Sequence, residues 1–117
     1  MRRELLAFGV MAATLTDGNR ANATDAQLAL GRHLSQECTS CHRIDGVEHG
    51  IPSIIGLDTE DFITTLNFYK SGMRNNPAMV SVAESLDDAQ IQALAVYFGS
   101  LKPVKPEPGA AKKEKKR

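Results

Sequence analysis

Apolar residues recur at helical intervals in three stretches of the chain. Leu30 and Leu34 stand one turn apart; Phe62, Leu66 and Tyr69 fall at i, i+4 and i+7; Ile91, Leu94, Phe98 and Leu101 form a longer stripe. Such spacing marks one buried face of a helix, and no stretch alternates in the period of two that a half-buried strand needs. The boundary signals agree. Thr24-Asp25-Ala26-Gln27 resembles a capping box and predicts a first helix from Thr24 to about Glu37. Asp58 or Thr59 caps a second helix, with Gly72 as its natural stop. Ser85-Leu86-Asp87-Asp88 opens a last helix, which Pro103 ends. Between these, Arg43 to Leu57 holds three glycines and a proline and reads as irregular, and Asn75-Asn76-Pro77 reads as a loop that carries Met79. The expectation is an all-α domain of about three to four helices, without an internal repeat, a Gly-rich phosphate loop or a nucleophile–base set.

The segment ahead of the first helix has a different character. Arg2-Arg3 precedes an uncharged run from Leu5 to Leu15, and Ala21-Asn22-Ala23 has the small-residue pattern of a cleavage site. These three parts predict a secretory signal peptide over residues 1–23 and a mature start at Thr24. The apolar run is about half the roughly 20 residues a membrane-spanning helix needs, which argues against a retained anchor. The expectation is therefore an exported protein.

Charge divides the remainder. The formal net charge of the 117 residues is zero. Residues 24–101 nevertheless carry four basic against ten acidic side chains, net −6, whereas residues 102–117 carry seven against two, net +5. The prolines and lysines of that last stretch predict a disordered basic tail behind an acidic domain. A solubilising extension is the plainer reading of the tail, and a tether to an acidic partner or an anionic surface the sharper one. A tail without aromatic residues on an exported chain gives no reason to invoke nucleic acid.

The candidate chemistry sits at Cys38-Thr39-Ser40-Cys41-His42, which holds both cysteines of the chain. A disulfide between them closes too small a loop to stabilise a short domain. A redox dithiol at this spacing normally follows a strand in a βαβ unit, and here the motif follows a helix. Structural zinc needs two further ligands, and His33, His42 and His49 form no H-x₃₋₅-H pair. The remaining chemistry is covalent haem attachment: each thiol adds to one vinyl group, and the adjacent histidine coordinates the iron. One C-x-x-C-H implies one haem c, held by Cys38 and Cys41 with His42 as proximal ligand. A haem also supplies the apolar body that so short a chain otherwise lacks, so the apo form is expected to be largely disordered.

Function turns on the second axial position. Methionine gives a six-coordinate, high-potential carrier, and an open position admits small molecules. Met79, Met73, His33 and His49 are the candidates. Met79 is favoured because an irregular segment ahead of the last helix can lay it over the opposite haem face. Met73 beside Gly72 comes second, His33 reads as surface, and His49 lies awkwardly close to His42 in sequence.

The stretches C-T-S-C-H, HGIPSIIG, YKSGMRNNPAM and AESLDDAQIQALAVYFGSL resemble those of class I bacterial cytochromes c over roughly Thr24 to Leu101. The GIP and SGMRNNPAM segments are most similar to domains of periplasmic di-haem cytochromes and to the haem subunit of flavocytochrome c sulfide dehydrogenase. The resemblance implies a class I cytochrome c fold in which the last helix crosses the first, with Gly31 meeting Tyr97. It implies that the Pro52 carbonyl accepts the Nδ1 proton of His42, which raises the basicity of the ring. Arg74 resembles an arginine that pairs with a haem propionate; a plain surface arginine is the competing reading. The implied function is periplasmic one-electron transfer to and from redox protein partners. The donor in this resemblance is a sulfide-oxidising flavoprotein, with this chain as its non-catalytic haem subunit. The alternative is a haem enzyme or small-ligand sensor with an open or displaceable sixth position. Lys70 is the only lysine between residues 24 and 101, so the ring of lysines common around the haem edge in such carriers is absent. Partner docking then falls to acidic or apolar contacts, or to the tail.

Overall fold

A computed structural model describes residues 18–104, with side chains placed from Thr24 onward. The expected signal peptide and basic tail therefore fall largely outside the described residues. Four helices and no strands make up the described part: α1 (Gly18–Thr39), α2 (Thr59–Lys70), α3 (Pro77–Glu84) and α4 (Asp88–Ser100).

The caps explain most boundaries. The Asp58 side chain accepts hydrogen bonds from the backbone N–H groups of Glu60 and Asp61 and opens α2. Asp87 and Gln90 form a reciprocal capping box at the start of α4. α2 ends at Lys70, and Gly72 follows at φ +77°. In that left-handed region glycine carries no Cβ penalty.

Two expectations are corrected. Thr24 does not begin the first helix: α1 starts at Gly18 and ends at Thr39. Ala21, Ala23, Ala26 and Ala29 are strong helix formers and carry the helix through the capping-box sequence. The segment holding Met79 is helical and not a loop. Pro77 takes the first helical position of α3, where its missing N–H costs nothing, and the Asn76 side chain caps the helix by accepting from the Met79 N–H at 3.2 Å.

The core is an eight-residue cluster: Ile55, Phe62, Leu66, Ala83, Ile91, Leu94, Ala95 and Phe98. Phe98 is fully buried, stacks on Phe62 with ring centroids 5.8 Å apart, and meets Tyr97 edge-on at 5.4 Å. α1 and α4 make the most extensive helix pair, closed at one point by Gly31. A Cβ there would lie 2.2 Å from the Ala93 carbonyl oxygen and 2.6 Å from the Tyr97 Cβ. The implied meeting of Gly31 with Tyr97 is thus present. The inward face of α1 is Gly31, Leu34, Ser35 and Cys38, while Leu30 is exposed.

Candidate haem site

Cys38 lies in the last turn of α1, half-buried against the core cluster, and Cys41 is exposed in the turn that follows. Both are free thiols. The backbone N–H groups of Cys41 and His42 donate to the Cys38 carbonyl at 3.2 and 2.8 Å. The motif is therefore a single tight turn that offers two sulfurs and an imidazole together. Burial pushes the Cys38 thiol above its ordinary pKa, and the Glu37 carboxylate adds to the rise, against a smaller opposing effect from a backbone hydrogen bond.

His42 is oriented by the next loop. Its Nδ1 stands 2.7 Å from the Pro52 carbonyl oxygen. A carbonyl can only accept, so the proton sits on Nδ1 and the Nε2 lone pair is left for a metal. The loop that presents Pro52 is tied down repeatedly. Arg43 forks onto the Asp45 carboxylate, which also accepts from the Val47 N–H at 2.9 Å. These bonds, the side-chain fork first, hold the Asp45 carboxyl down to about 2. The Ser53 N–H donates to Glu48, Ile55 anchors the loop in the core, and the Gly56 N–H donates to the Phe98 carbonyl of α4 at 2.9 Å.

Met79 is half-buried on the first turn of α3 and packs against the same core cluster as Cys38. The other candidates are less constrained. Met73 is 72% exposed, and His33 and His49 are exposed. Arg74 is exposed, with its guanidinium 5.7 Å from the Tyr69 ring centroid. No group of three His, Cys, Asp or Glu side chains gathers as a metal site among the described residues, so the zinc reading lacks its further ligands there.

A haem suits these residues. Ile44, Val47 and Ile51 stand exposed on the loop after His42, and Phe68, Met73 and Val82 on the segments around Met79. Large apolar side chains left open on both segments that bear candidate ligands are what a bulky apolar group would cover. Sequence reading missed this apolar set; its only signal was the unpatterned isoleucines and valine between His42 and Leu57.

No protein-family model matches the chain. Among curated proteins, the cytochrome subunit of sulfide dehydrogenase from Chlorobaculum tepidum is 34% identical over 83% of this chain and 89% of that protein. Cytochrome c-553 from Helicobacter pylori is 32% identical over 87% of this chain and its own full length. The chain is a c-type cytochrome. The thiosulfate dehydrogenase electron acceptor of Thiomonas intermedia is also 33% identical over 98% of this chain, which spans only 56% of that longer protein. This cytochrome's four helices are those of a class I cytochrome c fold. Its work is electron transfer, and the chemistry of any substrate oxidation belongs elsewhere.

Proposed function

We propose that this cytochrome is an exported single-haem carrier. Cys38 and Cys41 would hold a haem covalently, His42 Nε2 and the Met79 sulfur would ligate its iron, and Arg74 would be available to a propionate. The observation that carries the reading is the 2.7 Å bond from His42 Nδ1 to the Pro52 carbonyl, immediately behind C-x-x-C-H. It fixes the tautomer and the ring plane that an axial ligand needs. Bound there, haem supplies a one-electron couple whose potential follows its axial ligands, hydrogen bonds and burial. The chain's own residues do the rest: the turn at Cys38–His42 places the thiols, the Pro52 carbonyl holds the imidazole proton on Nδ1, and the core beneath Met79 restrains its thioether.

Export follows the sequence pattern of residues 1–23, and among the described residues no helix is long and apolar enough to cross a membrane. The partner we favour is a dehydrogenase that oxidises a reduced sulfur compound, with a sulfide-oxidising flavoprotein first. This choice is supported by the Chlorobaculum relative, a cytochrome subunit of sulfide dehydrogenase, and the Thiomonas relative, a thiosulfate dehydrogenase electron acceptor.

The test is the visible spectrum of the matured protein and of Met79→Ala. A sharp reduced α-band and a weak far-red band when oxidised, the latter lost in Met79→Ala along with a fall in potential, support His42/Met79 ligation. A high-spin spectrum that shifts on adding carbon monoxide would overturn it in favour of an open-site sensor or enzyme.

A further inference from the structure

Met79 lies on a short helix with few neighbours. α3 has eight residues, and among the described residues it packs on α2 and on no other helix. A helix so short has little stability of its own, so tertiary contacts decide where it sits. Ala83 is fully buried and Met79 is half-buried against the core cluster, which holds one face of the helix down. What fixes its two ends is a separate matter.

Both ends are tied to the last turn of α2. On the way in, the Arg74 N–H donates to the Phe68 carbonyl at 3.1 Å, just after the turn at Gly72. On the way out, Lys70 Nζ donates to the Leu86 carbonyl at 2.7 Å, sixteen residues further along the chain. Leu86 stands in the junction between α3 and α4; its own N–H donates to the Ala83 carbonyl at 3.2 Å, and its side chain packs against the core cluster. The bond from Lys70 thus closes a loop of chain that contains the whole of α3. The Lys70 side chain is 30% exposed, so the bond is partly sheltered from competing water. Asp88 adds little, since its carboxylate is 3.9 Å away and 91% exposed. Lys70 is the only lysine of an acidic domain, and its closest bond is nevertheless to a neutral carbonyl. An ammonium placed by charge alone would sit nearest a carboxylate.

We propose that Lys70 is a positioning residue for the sixth iron ligand: by holding the α3–α4 junction to the end of α2, its ammonium keeps the Met79 thioether where a ligand must stand. This rests on the His42/Met79 reading above. With the Leu86 tie broken, α3 stays joined to α2 at the Arg74–Phe68 bond and can pivot there, and Met79 in its first turn moves with it. An added ligand binds with an apparent affinity that scales with the fraction of molecules whose position is open. Loosening α3 therefore shows as tighter binding of that ligand.

The test titrates imidazole into the oxidised holoproteins of the parent, Lys70→Met, Lys70→Arg and Gly31→Ala, followed at the far-red band. Methionine keeps the aliphatic stem and lacks the donor, and arginine keeps a donor. Gly31→Ala disturbs the α1–α4 crossing and leaves the ties of α3 alone. Lys70→Met should bind imidazole roughly tenfold more tightly than the parent and lose the far-red band at a lower temperature than its helical signal. Amide exchange should quicken across α3 and not across α1. Lys70→Arg should return to the parent's imidazole affinity, and Gly31→Ala should melt lower with that affinity unchanged. If Lys70→Met yields no holoprotein, Lys70→Gln, too short to reach Leu86, takes its place in the same comparison. Parental imidazole affinity in the donor-free variant would overturn the proposal. So would an equal gain in Gly31→Ala, which marks general loosening, or no restoration by Lys70→Arg, which marks packing of the stem. A parent without the far-red band refutes Met79 ligation itself; that result is read before any variant is made, so the two failures are distinct.

Discussion

His42 and Asp45 stand close in sequence and are positioned in different ways. The imidazole depends on one backbone acceptor, the Pro52 carbonyl, which a substitution at Pro52 does not remove but can displace. Replacing Pro52 by Gly should therefore broaden the histidine's orientation without abolishing its bond. A looser Nδ1 bond leaves the ring a poorer donor to oxidised iron, so the expected result is a higher reduction potential with the α-band retained, read by redox titration of the holoprotein. Asp45 acts through its ionised carboxylate, held down to about 2 by Arg43 and the Val47 N–H. A folded value below the ordinary 3.8 means that its contribution is fully present above about pH 4 and is lost as pH falls through 2. Asp45→Asn should melt lower than the parent at neutral pH, and the gap should close between pH 4 and 2 in melts followed by circular dichroism. The pair is solvent-exposed, so the shift should be small.

At the scale of elements, α1 and α3 each have a contact that bears on their placement. For α1 it is Gly31, whose missing Cβ admits the Ala93 carbonyl of α4. Gly31→Ala forces the helices apart, since the clash is with backbone and not with a movable side-chain end. It should lower stability by about 1–3 kcal/mol in denaturant unfolding of the holoprotein. For α3 it is the Asn76 cap, which bonds the N–H of Met79 itself. Asn76→Ala should cost about 1 kcal/mol and fray the turn that carries the thioether. The far-red band should then be lost at lower temperature than the helical signal, whereas an equivalent capping loss at α4, Asp87→Ala, should melt both together.

At the scale of the whole molecule, the core cluster among the described residues is small, eight residues including Phe98, with several large apolar side chains left outside it. The uncovered set on the two segments that carry the proposed ligands would complement the proposed haem. A Cys38→Ala/Cys41→Ala chain, unable to hold haem covalently, should lose most of its helical signal at 25 °C by far-UV circular dichroism, in line with binding energy acting as folding energy. The same uneven distribution governs charge: acidic side chains dominate the domain, and the net positive charge follows it in the chain.

Much of this was legible in the sequence because it depends on neighbours along the chain. Cys38, Cys41 and His42 belong to one turn, and their residue types and spacing named the cofactor before any folding was considered. The stripes Phe62–Leu66–Tyr69 and Ile91–Leu94–Phe98 follow from helical period, and both faces do turn inward. What depended on distant contacts was decided only by the tertiary structure. Leu30 looked like core beside Leu34, yet α4 approaches over Gly31, and a close backbone crossing leaves the larger neighbouring side chain outside. The helix under Met79 was hidden because Asn75-Asn76-Pro77 reads as a breaker, whereas Asn and Pro are equally the residues that begin a helix when an N-cap geometry is available. The exit of the chain beside the His42 loop could not be read from residues 101–104 at all. It is set by the packing of Pro103 on Gly46 and Gly56, across a separation that no local pattern spans.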